Sequence, residues 1–316
     1  MAGERESGIG LIECVPNFSE GRDTSIVQQL ERAIASVTGS LVLHRTSDED
    51  HNRSVITFAG EPGAVVESAV RAAAEAAELI DLNRHRGVHP RLGALDVLPF
   101  VPLGEATLQE CAALAHRAGY RIWKELGIPV YFYEAAARRP DRIKLEDVRR
   151  GQFEGLRETV LSADDKRPDL GGPALHPTAG AVIVGARKIL IAFNINLKTT
   201  DLAIAQTIAK RVRASGGGLP GVKALGLRLL SRNLVQVSMN ITDVDQAPLG
   251  VVYTEVARLA ASHGIEIEES ELIGLMPRSA LATSSPALLK LSAFDSQQLI
   301  ENRIETLMAK PAHPLG

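Results

Sequence analysis

A histidine, His89, sits inside the run HRGVHPRLG at residues 85–93, with Arg84, Arg86 and Arg91 close by. An imidazole titrates near neutral pH and suits general acid/base chemistry. Guanidinium groups grip carboxylates with paired hydrogen bonds. Pro90 fixes the backbone next to His89, a rigidity that a plain solvated loop does not need. His85 and His89 stand four apart, a spacing that can hold a metal on a helix. Gly87 and Pro90 break such a helix and no third Cys or Glu ligand stands nearby, so no metal is expected. Two readings stay open for His89: a histidine satisfied within its loop, or an acid/base. The arginines have a plain reading too, as a basic loop placed favourably at the end of a helix dipole.

Other stretches carry possible chemistry. SDEDHNR (47–53) offers Asp48 and Asp50, either of which could orient a catalytic imidazole, while Asx-type turns would also explain the composition. FNIN sets Asn194 and Asn196 on one face of an otherwise apolar strand, as a core hydrogen-bond network or as a pair that reads a ligand. SGGGLPG contains G-x-G-x-x-G at Gly216, Gly218 and Gly221, but it follows a helix and precedes a strand, the wrong order for a dinucleotide fingerprint. It is a flexible connection or a loop whose amides close on a ligand. No P-loop occurs.

These residues need elements to position them. At 316 residues, 45% hydrophobic and 23% charged, the chain reads as a soluble globular protein with room for two domains. A net charge of −3 without a dense basic run argues against a nucleic-acid partner. No apolar run is long enough to span a membrane, and the polar start MAGERESGIG lacks a signal-peptide core. The two cysteines, Cys14 and Cys111, fit neither a disulfide framework nor a zinc site, so a reducing, cytoplasmic compartment is expected. The ends, about 1–8 and 310–316, should fray.

Periodicity predicts strands at 11–18, 41–46, 54–60, 94–101 and 128–134, and helices from Asp23 or Thr24, over 61–81, and from the Thr107/Glu110 capping box to Gly127. Residues 135–170 read as short helices and connections. Strands return over 181–196 with a turn at Gly185, then at 222–230, 234–241 and 271–277, with helices over 200–212, 250–262 and 295–308. The link 47–53 is longer than a tight hairpin needs. Each half follows the order β-α-β-β-α-β, with an added helix and strand in the first. The fold class predicted is α/β (α+β): two ferredoxin-like βαββαβ modules, at 1–187 and 188–316, with helices on the outer face of each sheet and a cleft between facing sheets.

Several longer runs carry a resemblance. ECVPNFSEGRD, DHNRSVITFAGEP, LIDLNRHRGVHPRLGALDVLPFVPL, GARKILIAFNINL and ELIGLMP together resemble the glutamate formimidoyltransferase (formiminotransferase) family, from about Leu11 to Ala293. The resemblance implies two α/β subdomains around a folate tunnel, in the stand-alone form without a cyclodeaminase domain. It implies transfer of a formimino group from N-formimino-L-glutamate to tetrahydrofolate, a step of histidine degradation. Tetrahydrofolate would be a co-substrate, with no metal. A homodimer is implied, with small-molecule substrates and a separate cyclodeaminase as a further partner.

By motif, His89 resembles the family's catalytic histidine and Arg91 the arginine beside it; Asp48, or Asp50 in the same loosely aligned loop, would be the assisting acid. The segment 172–180 resembles one folate contact, giving Gly172, Pro173, His176 and Gly180. The segment 217–226 resembles another, giving Gly217, Gly218, Gly221 and Lys223, with Asn194 and Asn196 as further contacts. One departure is Val88, where the family carries a glutamate next to the histidine. It leaves two alternatives: a folate-binding relative without transferase activity, or a transferase with another formimino or formyl donor.

Overall fold

Alternating apolar residues shape two sheets in the computed structural model of the chain, which describes residues 10–309. The ends expected to fray lie outside those residues. The chain divides between Arg187 and Lys188 into two compact units, each with its own apolar core.

The first unit runs β1 (Ile12–Cys14), β2 (Asn17–Phe18), α1 (Thr24–Ala35), β3 (Ser40–Asp48), β4 (Arg53–Gly60), α2 (Pro62–Leu79), β5 (Leu95–Pro102), α3 (Leu108–Leu126), β6 (Val130–Glu134), α4 (Leu145–Val148), α5 (Gln152–Thr159) and β7 (Val182–Ala186). The expected strand at 11–18 is interrupted at Val15-Pro16, because proline has no N–H to give the ladder. Taken together, β1 and β2 lie between β4 and β5, and β3 closes the edge beyond β4, all antiparallel. That is the split-βαβ order. The added strands β7 and β6 extend the sheet in parallel beyond β5. The crossover helix α3 starts at the predicted capping box, with Thr107 and Glu110 bonding reciprocally, and stops at left-handed Gly127.

Helices α1, α2 and α3 lie side by side against one face of this sheet. Cys14, Phe58 and Phe100, cross-strand neighbours, point into that layer and are fully buried. Residues of the other parity, including Glu13, Asn17 and Arg53, take the opposite face. Between Asn17↔Val97 and Phe18↔Leu95 the register slips by one residue, and Asp96 is the extra one. Such a bulge re-aims a side chain without ending the strand.

Two expectations need correction here. The link is shorter than 47–53: β3 and β4 pair as far as Asp48↔Arg53, so Ser47, Asp48 and Arg53 belong to the ladder and residues 49–52 form the hairpin loop. Gly185 is not a turn but lies inside β7, where a Cβ would stand 2.4 Å from the Tyr133 ring. Glycine serves there because an aromatic ring lies flat on the strand.

The second unit is β8 (Ile191–Leu197), α6 (Leu202–Val212), β9 (Val222–Leu229), β10 (Leu234–Ile241), α7 (Leu249–Ser262), β11 (Ile267–Ile273) and α8 (Ile300–Met308). Its antiparallel order β11-β8-β10-β9 is again the split-βαβ arrangement. Val235, Val237, Met239 and Ile241 fill the core as their alternation predicts. The last strand begins at Ile267, earlier than expected, with its register shifting between Ile267 and Glu269. The final helix is shorter than 295–308: Asp295 caps a separate 3-10 turn, and the α-helix starts at Ile300.

Candidate active site

The loop carrying His89 follows α2 and is held by its neighbours' backbones. Asn52, at the tip of the β3–β4 hairpin, donates to the Arg86 carbonyl at 3.1 Å and accepts from the Gly21 N–H at 2.9 Å. The buried His85 ring meets the Asn52 carbonyl at 2.9 Å through Nε2. Gly87 lies so close to the hairpin that a Cβ would stand 2.4 Å from the His51 carbonyl oxygen. ECVPNFSEGRD, DHNR and HRGVHPR are thus one packed unit, which accounts for their small and polar residues.

His89 is half-buried, and its Nδ1 lies 2.7 Å from the Pro90 carbonyl. A carbonyl only accepts, so Nδ1 carries the proton and Nε2 keeps a free lone pair. Burial and the nearby charges of Arg53 and Arg149 bring the imidazole's pKa down to about 4. The ring is therefore neutral near pH 7 and can accept a proton through Nε2.

Beside it lies a cluster that sequence reasoning passed over. The Asp96 carboxylate is fully buried. Its Oδ2 receives Arg53 at 2.8 Å and Arg149 at 2.5 Å, and its Oδ1 takes the Leu92 N–H at 2.8 Å. Arg53 also donates to the Asn17 side chain at 2.8 Å. Burial works to raise the pKa of Asp96, but the two guanidinium charges outweigh it and hold the group below the usual carboxylate range. Asp96 and Glu13 were each legible as a lone acid inside an apolar strand. Arg149, at the end of α4, had no such signal. Glu13 is buried on the same sheet face as Asn17, and burial pushes its pKa up to about 7 against the charge of Arg187.

The predicted site residues fall in different settings. Arg91 is buried and grips Glu154 of α5 at 2.6 and 3.2 Å, so its fork is already occupied. With His85, Phe153 and Arg157 these two line a cavity of about 410 Å³ that His89 does not border. Arg84 is largely solvated, and Arg86 donates to its own loop at the His85 carbonyl, 2.8 Å away. Asp48 meets His51 instead of His89, accepting its backbone N–H at 2.8 Å and lying 2.9 Å from its Nδ1. Asp50 is exposed.

The 172–180 segment is tied to the histidine loop. Leu82 N–H donates to the Thr178 carbonyl at 2.9 Å, Ala94 N–H to Ala179 at 2.9 Å, and Ala181 N–H to Leu92 at 3.2 Å. His176 uses its Nδ1 to accept the Ala179 N–H at 3.0 Å, closing its own turn with Gly180, while Gly172 and Pro173 are exposed.

In the second unit, Asn194 and Asn196 share a face of β8, as expected. Asn196 is fully buried in a network with Gln236 at 2.9 Å and Glu271 at 2.7 Å, whereas Asn194 is half-buried. The loop after α6 carries Gly217 in open space, Gly218 packed on the last carbonyls of α6 and Gly221 against Asp243. Lys223 lies exposed on β9.

Two split-βαβ units, with a neutral histidine beside a shared-aspartate arginine pair in the first, define a mixed α/β protein. The N-terminal subdomain of the formiminotransferase domain matches residues 11–187 of the chain, and the formiminotransferase domain matches 192–310. A glutamate formimidoyltransferase from Thermoplasma acidophilum is 44% identical over 94% of this chain and 98% of its own length. One from Streptococcus pyogenes serotype M1 is 42% identical over 93% and 98%. The formimidoyltransferase-cyclodeaminase of Gallus gallus is 43% identical over 89% of this chain but only 52% of its own length. The chain belongs to the formiminotransferase family.

Proposed function

We propose that this chain transfers the formimino group of N-formimino-L-glutamate to tetrahydrofolate, giving 5-formimidoyltetrahydrofolate and glutamate in histidine degradation. The observation that carries the reading is the neutral, tautomer-fixed His89 beside Arg53, Asp96 and Arg149, in a chain 44% identical to a glutamate formimidoyltransferase along nearly its whole length. The transfer forms a bond between N5 of the folate and the amidine carbon, and breaks the bond from that carbon to the glutamate nitrogen. N5 must lose a proton and the leaving nitrogen must gain one. His89 Nε2 does both in turn. Positioned proton transfer of this kind is worth roughly 10²–10⁴-fold. Holding two substrates together lowers the entropic part of the barrier.

Arg91 supports this chemistry from beneath the loop by tying it to Glu154, and Asp48 acts through His51. The folate contacts proposed are Gly172, Pro173, His176 and Gly180 in the first unit, and Gly217, Gly218, Gly221, Lys223, Asn194 and Asn196 in the second. The units are read as the subdomains 1–187 and 188–316 of a cytoplasmic homodimer, with a cyclodeaminase on a separate chain.

The test is an assay with purified protein, tetrahydrofolate and N-formimino-L-glutamate, in which acid converts the product to methenyl-tetrahydrofolate for absorbance reading. Turnover that falls at least about 10²-fold in His89→Ala, with folate affinity kept, supports the reading. Folate affinity lost along with turnover would remove His89 from the proton-transfer role. Wild-type protein that binds tetrahydrofolate but turns over no formiminoglutamate would redirect the reading to another donor, as Val88 beside His89 allows.

A further inference from the structure

The Arg53–Asp96–Arg149 cluster carries one positive charge more than it can neutralise: two guanidinium groups share a single carboxylate. The three side chains are 11%, 0% and 12% exposed, so water screens that excess poorly. The Arg149 Nε is buried and has no hydrogen-bond partner. Buried donors are almost always satisfied, so an orphan one beside an unbalanced cation points to an anion that is not part of the chain. Arg91, one of the arginines near His89 in sequence, also has a partnerless Nε, but its charge is answered by Glu154 and its cavity does not border His89.

We propose that Arg149 and Arg53, held by Asp96, form the subsite for a carboxylate of the donor, and that this contact seats the donor's reacting carbon against His89. The proposal rests on the transfer reading above and names the recognition element within it. A carboxylate there accepts from the Arg149 Nε and removes the excess charge. Its consequence for His89 follows from the groups that face the ring: Arg53 from β4, Arg149 from the end of α4, Asp96 from β5, and His51 with Asp48 from the hairpin. Arg53 and Arg149 disfavour the imidazolium in the free protein. A bound carboxylate offsets them, so His89 becomes a stronger base only when a donor is in place.

The experiment compares wild type with Arg149→Gln and Arg149→Lys, each checked for an unchanged melting temperature. Binding of L-glutamate, the dicarboxylate product, is measured by calorimetry in the presence of tetrahydrofolate, which needs no turnover. The KM values for formiminoglutamate and tetrahydrofolate are measured in parallel, and the His89 ring is titrated by NMR with and without glutamate. We expect glutamate affinity to fall about 10- to 100-fold in Arg149→Gln, the worth of one charge-assisted hydrogen bond, and partial rescue in Arg149→Lys. The KM for formiminoglutamate should rise similarly, with that for tetrahydrofolate unchanged. Glutamate should move the His89 titration upward in wild type and not in Arg149→Gln.

Equal glutamate binding in wild type and Arg149→Gln would overturn the subsite whatever the turnover. So would a loss confined to tetrahydrofolate. Glutamate binding that depends on Arg149 in a wild type inert towards formiminoglutamate would uphold the carboxylate subsite and overturn the transfer reading instead.

Discussion

The His51 ring stands edge-on to the His89 ring, with centroids 6.1 Å apart, and is itself held by Asp48 through both its backbone N–H and its Nδ1. Asp48 therefore reaches His89 through an intervening ring. These two contacts with Asp48 hold that ring, and the hydrogen bond from the His51 N–H does most to hold Asp48 below its ordinary carboxylate pKa.

This chain of contacts predicts a double-mutant cycle without additivity. Asp48→Asn and His51→Ala should each lower kcat/KM by about tenfold or less, and the double variant should lose no more than the worse single one. Multiplied losses would mean that Asp48 acts on the site by its own route.

The Arg91–Glu154 pair predicts a stability cost felt at the loop. Arg91 is buried while the Glu154 side chain is 55% exposed, so Glu154→Gln leaves one buried cation with weakened compensation. The expected loss is about 1–3 kcal/mol, below the figure for a pair buried on both sides because solvent screens the glutamate. Urea unfolding measures it. A midpoint equal to wild type would show that the pair adds nothing to the fold.

Glu13 predicts a pH dependence of stability. Its folded pKa is raised from 4.5 to about 7, chiefly by burial, so the folded chain keeps a proton that the unfolded chain releases between those values. Its contribution is fully present below about pH 4.5 and is lost as pH rises through about 7. Glu13→Gln should flatten the fall in unfolding midpoint between pH 5 and 8 compared with wild type. Parallel curves for the two proteins would show that Glu13 does not titrate in this window.

Much of the fold was legible because its signals are local. The Thr107/Glu110 box, the Gly127 stop and the alternation of Val235 through Ile241 each follow from a few adjacent residues. The misread places depend on distant partners. Gly185 is a strand residue only because Tyr133 lies across it, and Asp48 belongs to a ladder only because Arg53 pairs with it. The site divided in the same way. His89 stands out in sequence through Pro90 and its arginines. The cluster that sets its electrostatics draws Arg53, Asp96 and Arg149 from β4, β5 and α4, and only folding brings those together.

The hydrogen bonds from Leu82, Ala94 and Ala181 join the 176–181 turn to both ends of the histidine loop. The two segments are therefore one part in a mechanical sense, although a long stretch of chain separates them. Length can vary in the exposed connection around residues 161–164, ahead of the carbonyls held by Tyr131 and Arg142, without reaching His89. A single residue inserted between Leu175 and Gly180 would shift the frame on which His89 is mounted.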